Sequence, residues 1–211
     1  MMRHLVVLAT ATLLISACGG DSDAVITYTD TQRLGRFQIP EQWHTYELSE
    51  LSSLEDLPFD EPVQGFTFPA VSSIGFDGDP VRDVAHLGRA LPESEYPIGL
   101  MSVRQIGETQ KDFLSRAVLT QSVLPYYDLA NSQELQKEDF SFGGGFDGVR
   151  VLVAFEDAAG QNQGVAYMIT VSNPDDTKMY SMIAGCSREC FISHQETIVG
   201  VVDSWLVNKR A

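Results

Sequence analysis

The clearest pattern in the chain is a succession of apolar runs in its C-terminal half. Residues 149–155, 165–171 and 179–184 are apolar at most of their odd and even positions. Since alternate residues of a strand point to opposite faces, these runs predict strands that are buried on both sides. Turn sequences, among them Gly143-Gly144-Gly145, separate the runs. From Leu135 onward we therefore expect four consecutive strands, which short links make antiparallel neighbours.

Three other segments place apolar residues at helical spacing, which predicts helices that each pack one stripe against the core. The second of them begins at Thr109, a capping residue followed by Asp112, and stops before Pro125. The stripes are Val81, Val84, Leu87 and Leu91 for a helix over residues 81–90; Phe113, Leu114, Ala117, Val118 and Leu124 for the second helix; and Phe191, Ile198, Val201, Val202 and Trp205 for a C-terminal helix.

The first half of the chain has weaker patterns. Residues 36–40 alternate polar and apolar side chains and end at a proline, which predicts a short strand and a turn before Trp43, a residue expected in the core. Residues 100–106 predict a further strand. Between them, the stretch from Leu48 to Pro97 contains six prolines, so its apolar patches are short and give mixed signals.

The order of these elements resembles that of the PsbP-like α/β/α sandwich over roughly residues 35–207. The resemblance rests on Phe37-Gln38-Ile39-Pro40-Glu41-Gln42-Trp43, on the strand meander, and on the closing segment Ile198-Val199-Gly200-Val201-Val202-Asp203-Ser204-Trp205. It implies an α+β fold in which helices cover both faces of an antiparallel sheet, here as a single domain over residues 26–211. Members are small exported or lipid-anchored accessory proteins that bind partners without catalysis. No functional residue of the family can be matched to this chain.

The N-terminal segment resembles a bacterial lipoprotein signal. Arg3 precedes the apolar residues 5–15, and Ile15-Ser16-Ala17-Cys18 ends the segment with small residues before a cysteine. The resemblance implies removal of residues 1–17, lipid on Cys18 and a tether over residues 18–25. Since glycine follows Cys18, it also implies the periplasmic side of the outer membrane if the cell has two membranes. The alternatives are an ordinary secretory signal or an uncleaved anchor.

Charge narrows the choice of partner. Removal of residues 1–17 leaves 194 residues and takes away one charged residue, Arg3, so 13 Lys and Arg remain against 29 Asp and Glu. This balance argues against nucleic acid as a partner and against charge as the means of attachment to anionic lipid. The acyl chains of a modified Cys18 would have to provide the anchor, and stable anchoring needs more than one chain.

Two cysteines remain once Cys18 is assigned to lipid, namely Cys186 and Cys190. Residues four apart in a turn or at a helix start can meet the Cα separation of a disulfide, and an exported protein meets an oxidising compartment. We therefore expect a structural disulfide, worth about 2 kcal/mol because its loop is short. A redox site would more typically have the C-x-x-C spacing, and structural zinc would need about four ligands.

Candidate chemistry is sparse. The sequence has no G-x-S-x-G, H-E-x-x-H or P-loop motif. His44, His86 and His194 remain after cleavage, and each could be a ligand or a base. Asp77, Asp79 and Asp83 form the best cation candidate, although their spacing departs from an EF-hand loop and a solvated acidic loop is the favoured interpretation. We therefore expect no metal, no cofactor and no catalytic residue.

Four phenylalanines of the proline-rich stretch could line a groove for a partner or complete the core. They are Phe59, Phe66, Phe68 and Phe76. Taken together, the sequence favours a membrane-anchored envelope lipoprotein that binds another envelope protein without being an enzyme. The alternatives are an envelope hydrolase or metal-dependent enzyme with an unrecognised site, and a carrier of a small ligand or metal.

Overall fold

The computed structural model describes residues 24–52, 54, 68–112, 114–121, 132–156, 160 and 163–208. The strands in these residues are β1 Val25–Thr29, β2 Gly35–Pro40, β3 His44–Glu47, β4 Ala70–Asp77, β5 Ile98–Gln105, β6 Ser132–Gly143, β7 Phe146–Glu156, β8 Gln163–Ser172, β9 Lys178–Ser187 and β10 Leu206–Val207. The helices are α1 Leu48–Leu51, α2 Glu108–Lys111, α3 Arg116–Gln121 and α4 Arg188–Asp203, with 3₁₀ turns at Val84–Gly88 and Leu91–Glu93. Within this part of the chain, no helix is both long and apolar enough to cross a membrane.

The main sheet has seven strands in the order β3-β4-β5-β9-β8-β7-β6, and all neighbours are antiparallel. Strands β6 to β9 form the four-strand meander that the apolar runs predict. β5 pairs with β9 and so joins the N-terminal strands to this meander. The close pairing of β7 and β8 explains Gly148, because a Cβ at this position would collide with the carbonyl oxygen of Thr170.

One face of the sheet packs against α4 and a second, three-stranded sheet. The strand order of this small sheet is β1-β2-β10. Phe37 and Ile39 of β2 and Trp205 after α4 are buried in a shared cluster with the main sheet. Ser204, which caps α4, accepts a hydrogen bond from the backbone N–H of Gln38 at 2.8 Å. The end of α4 therefore holds the small sheet in place.

Short helical segments pack on the opposite face of the main sheet. Leu51 of α1, Leu87 and Leu91 of the 3₁₀ turns, and Val118 and Leu119 of α3 are buried there together with apolar residues of β5, β7 and β8. The central strands are thus buried on both sides, as predicted. Met168 and Ile169 of β8 face opposite ways, and each is almost completely shielded from solvent.

The predicted fold class, a sheet covered by helices on both faces in an α/β/α sandwich, is wrong. The protein consists mostly of antiparallel β-sheet, and one long helix shares its face with the small sheet. The small sheet escaped prediction because its strands β2 and β10 come from opposite ends of the chain and have no common local signal. Gln38 and Ser204, which meet beside it, are 166 residues apart.

Two of the three predicted helices are also wrong in extent. Residues 81–90 contain only the 3₁₀ turn Val84–Gly88, which Asp83 caps by accepting from the N–H of Ala85. The predicted helix from Thr109 to Pro125 is interrupted after α2, and Ser115 starts α3 anew by accepting from the N–H of Val118. Phe113 and residues 122–125 lie outside the described residues. The C-terminal helix is confirmed as α4, although Trp205 lies just beyond its end.

Candidate functional site

The most complete polar cluster among the described residues lies where β4 ends. Asp77, the last residue of β4, is completely buried, and His86 in the first 3₁₀ turn is 8% exposed. The Nδ1 atom of His86 lies 2.8 Å from Oδ2 of Asp77 and 3.4 Å from Oδ2 of Asp79. Two residues predicted for separate roles, an acidic-loop candidate and a candidate base, therefore belong to one site.

Local sequence explains how His86 reaches Asp77. Ile74 and Phe76 of β4 pack on the face that carries α4, so Gly75 and Asp77 face the other side. A Cβ at Gly75 would collide with the side chain of Leu87. Because Gly75 has no side chain, Leu87 can pack directly on β4 and bring the neighbouring His86 to the carboxylate of Asp77.

The acidic loop uses its carboxylates to hold its own backbone. Oδ1 of Asp77 accepts from the N–H of Asp79 at 2.8 Å, and Oδ1 of Asp79 accepts from the N–H of Val81 at 2.8 Å. Asp83 caps the 3₁₀ turn in the same manner. Within the described part of the chain, no group of three or more His, Cys, Asp or Glu residues could hold a metal ion. The favoured interpretation of a solvated loop fails for Asp77, which is buried.

Burial dominates the electrostatics of this site. Removal from water raises the pKa of Asp77, although the N–H of Asp79 and the imidazole of His86 both favour its charged form. Tyr46 of β3 is buried beside it, and its pKa is raised by burial first and by the charge of Asp77 second. Arg82 closes the site toward solvent, with its guanidinium 4.7 Å from the centre of the Tyr46 ring and 2.9 Å from Glu50.

The arrangement has the orientation of a carboxylate–histidine pair that serves a general base. A buried carboxylate on Nδ1 can fix the imidazole and leave Nε2 to accept a proton. Among the described residues, Nε2 of His86 has no hydrogen-bond partner, whether a serine, a threonine or any other group. The pair therefore has the geometry of a base without a nucleophile bonded to it.

The remaining histidines take different positions. His44 lies opposite Asp77 in the register of β3 and β4, and its Nε2 is 3.4 Å from the carbonyl oxygen of Pro80. His194 is exposed on α4, on the other side of the main sheet. The structure thus brings His44 and His86 to the same end of β4 and leaves His194 apart from them.

Cys186 and Cys190 form a disulfide, as their spacing predicts, with Cα atoms 5.8 Å apart. Cys186 lies in β9 and Cys190 in the first turn of α4, and both are buried in the cluster beneath that helix. Ser187 between them caps α4 by accepting from the N–H of Cys190. The bridge is therefore a clip between a central strand and the helix that covers it.

A cationic groove of about 520 Å³ lies at one end of the small sheet, and sequence reasoning missed it. Its lining includes Arg33, Arg36, Thr29 and Leu206. Arg36 points outward because Phe37 and Ile39 of the same strand fill the core, and Arg33 is exposed in the preceding turn. The alternation of residues 36–40, which predicted the strand, was also the signal that could have placed Arg36 on its outer face.

The predicted aromatic groove is absent for the residues that can be described. Phe68 is 4% exposed and Phe76 is completely buried, so both complete the core. Phe59 and Phe66 lie outside the described residues, and so does Cys18. The predicted tether ends within the fold, because its last residue, Val25, begins β1.

No protein-family model matches the chain, and no curated protein matches it. Among solved structures, it is similar to the cyanobacterial PsbP protein CyanoP from Synechocystis sp. PCC 6803, at 15% identity and a TM-score of 0.49, over 92% of this chain and 99% of that one. It is also similar to the Ran-binding protein Mog1p of Saccharomyces cerevisiae, at 11% identity and a TM-score of 0.49, over 88% of this chain and 96% of that one. A PsbP protein is thus among its structural neighbours, as the element order predicts. At TM-scores below 0.5, neither similarity carries an argument about what the chain does.

Proposed function

We propose that this protein is a lipid-anchored protein of a bacterial cell envelope that acts there by binding another envelope protein. The observation that carries the proposal is the disulfide between Cys186 and Cys190. Disulfides persist in oxidising compartments and are rare in the bacterial cytosol. The bridge therefore supports export, which is the role of an N-terminal leader that ends in Ile15-Ser16-Ala17-Cys18.

Lipid on Cys18 is the attachment that this sequence favours. With Cys186 and Cys190 paired, Cys18 is the one cysteine of the chain left for modification. Its position directly after the small residues Ser16 and Ala17 is where a lipoprotein leader is cut. Two or more acyl chains on this residue would hold the domain at the membrane surface, whereas a single chain gives only reversible attachment.

Binding is favoured over catalysis by the way the reactive side chains are used. The oxygens of Asp77 and Asp79 accept from backbone N–H groups of their own loop, and the two described cysteines are joined to each other. These groups stabilise the fold.

Replacement of Cys18 tests the anchor. We expect Cys18→Ser to abolish incorporation of an acyl-chain label and to move the protein out of the membrane fraction. The double variant Cys186→Ser/Cys190→Ser is the matched control, since it removes the other two cysteines and keeps Cys18; it should retain label and membrane location. Label or membrane association that persists in Cys18→Ser would refute the anchor. Crosslinking in intact cells should recover an envelope protein with the wild-type chain, and loss of this product in Cys18→Ser would show that attachment is needed for it.

One observation favours an envelope hydrolase as the second candidate, namely the buried carboxylate of Asp77 on Nδ1 of His86 with Nε2 left unbonded. The variant His86→Asn separates the two functions. Its side-chain amide can still donate to Asp77, but it has no nitrogen that can act as a base. A general base contributes about 10²- to 10⁴-fold to a rate. A binding protein should keep its phenotype in His86→Asn, whereas a hydrolase should lose it; the exposed His194→Asn is the control.

A further inference from the structure

The outer face of the small sheet has an unusual composition for a protein that is acidic overall. In antiparallel pairing, residues directly opposite each other lie on the same face. Thr29 lies opposite Arg36, and Arg36 lies opposite Leu206. Arg36 and Leu206 are exposed, and Val25 at the other end of β1 is 57% exposed. Cationic and apolar side chains therefore share one solvent-facing surface, which we call the outer face.

The two arginines of the outer face are free to bind an anion. Among the described residues, neither Arg33 nor Arg36 has an ion pair or a side-chain hydrogen bond. The acidic residue nearest to Arg33 in sequence, Asp30, is buried and already accepts from the N–H of Gly35 and the hydroxyl of Ser72.

The position of Cys18 places this face next to the proposed lipid anchor. Val25 follows Cys18 by seven positions in the sequence, so the link between them can span at most about 25 Å. Thr29 lies four residues along β1 from Val25, a distance of about 14 Å. Thr29 pairs with Arg36 of β2, and Leu206 lies opposite Arg36 on the other side of β2. An anchored domain can therefore lay the whole outer face on the membrane without stretching its link.

The net negative charge of the whole chain opposes contact between the outer face and an anionic membrane less strongly than its magnitude suggests. Charges more than about 8 Å apart at physiological ionic strength are largely screened from each other. The exposed Glu41 follows β2 at the end opposite to Arg36, about 17 Å along the strand, so its charge contributes little to the potential at Arg36. The expectation that charge plays no part in membrane attachment rests on the net charge of the whole chain and does not describe this surface.

We propose that the outer face is the membrane-contacting surface of the anchored protein. Arg33 and Arg36 bind phosphates of anionic phospholipids, while Val25 and Leu206 contact the headgroup region of the membrane. The proposal rests on the proposed function, because a lipid on Cys18 brings the face to the membrane. Such contact fixes the orientation of the domain and turns the opposite face of the main sheet, with the acidic loop of Asp77, toward other envelope proteins.

The test uses the mature chain coupled chemically through Cys18 to a maleimide phospholipid in nanodiscs. Cys18 is then the only free thiol, because the other two cysteines are joined. This coupling supplies the anchor whether or not cells acylate Cys18, so failure of the test is distinct from failure of the anchor. Paramagnetic broadening of methyl signals by spin-labelled headgroups reports which side chains approach the membrane. Val25 is near the anchor in any orientation, so Leu206 is the diagnostic residue for methyl broadening. Its reference is the exposed Val81 in the acidic loop, because α4 lies on the same face of the main sheet as the small sheet.

We expect Leu206 to be broadened far more than Val81 in nanodiscs that contain phosphatidylglycerol, and to lose this excess in phosphatidylcholine alone. Each arginine removed should lower the membrane-contacting population about fivefold. Arg33→Asn and Arg36→Gln are suitable changes because both residues are exposed and asparagine tolerates the positive φ of Arg33, which is 58°. Arg89→Gln is the matched control, since Arg89 is exposed, forms no ion pair within the described residues and lies beyond the opposite face of the main sheet.

Three results would overturn the proposal. Equal broadening of Leu206 and Val81 would show that the domain has no preferred orientation. Broadening that survives the change of both arginines would remove their role. The same broadening in neutral and anionic nanodiscs would replace phosphate binding by apolar contact alone.

Discussion

Replacement of His86 by leucine should leave a buried charge without its partner. Asp77 is completely buried, and among the described residues His86 supplies the only side-chain hydrogen bond that it receives; the N–H of Asp79 supplies a backbone bond. Removal of the partner of a buried charge costs about 3–5 kcal/mol, because the remaining charge stays out of water. Since a domain of this kind is stabilised by about 5–15 kcal/mol, the loss is large but need not unfold the protein.

The dependence on pH distinguishes this explanation from a simple loss of packing. Burial already raises the pKa of Asp77, and removal of His86 takes away an interaction that lowers it. A carboxyl group whose pKa is raised in the folded state favours folding while it is protonated, and this contribution is lost as the pH rises through the folded-state pKa. The deficit of His86→Leu should therefore be largest at neutral pH and shrink toward about pH 4, the ordinary range of the carboxyl group.

Urea unfolding followed by circular dichroism measures both effects. With a slope of about 2 kcal/mol per molar urea, the midpoint at pH 7 should fall by about 1.5–2.5 M. His86→Asn, which keeps a donor for Asp77, should recover much of this loss. The double variant Asp77→Asn/His86→Leu should show a difference from wild type that no longer shrinks with acid. A deficit below about 1 kcal/mol that is the same at pH 4 and pH 7 would refute the reasoning.

Three further predictions concern the frame around the site. In the variant Cys186→Ala/Cys190→Ala, the free energy of unfolding should fall by about 2 kcal/mol, because the disulfide closes a short loop, and the far-UV circular dichroism should be retained. A loss of the fold would show that the disulfide is essential for folding. Burial, followed by the hydrogen bond to the carboxylate of Glu47 on β3, raises the pKa of Tyr28 to about 12. The stability that the protonated hydroxyl contributes below pH 10 should therefore be lost between pH 10 and pH 12, and the free energy of unfolding should fall less steeply over this range in Tyr28→Phe than in wild type. Gly148→Ala should disrupt the pairing of β7 and β8 and lower the free energy of unfolding by about 3 kcal/mol or more. Gly200→Ala should raise it by about 1 kcal/mol, because Gly200 is exposed on α4 and an added Cβ meets no atom within 4 Å. Similar unfolding midpoints for the two variants would contradict the contact at Gly148.

Prediction from the sequence succeeded for long elements in which every residue on a given face has the same environment. The runs that became β7, β8 and β9 are apolar on both faces because both faces are buried, and α4 has its stripe because one side packs on the sheet. Short elements failed for the opposite reason. Strand β3 has four residues and β10 has two, which is too few for a period to be recognised.

The candidate site was only partly predictable. Asp77, Asp79 and His86 were each singled out, but their contact depends on Gly75, whose missing side chain lets Leu87 approach β4. A glycine inside a strand signals a close approach without naming the neighbour. The outer-face arginines were missed because the net charge of −15 describes the whole chain and says nothing about where its few cations gather.

The strand order also sets a constraint on when folding can be completed. The hairpins of the meander join neighbours in sequence, but β5 must wait for β9, and β2 must wait for β10 and the helix before it. Contacts between distant parts of a chain are slow to form because the intervening loop must first be closed. During synthesis, β5 and β2 therefore each lack one neighbour until β9 and β10 have emerged. The hairpins can form as the chain emerges, but the two sheets can be completed only when nearly all of the chain is available.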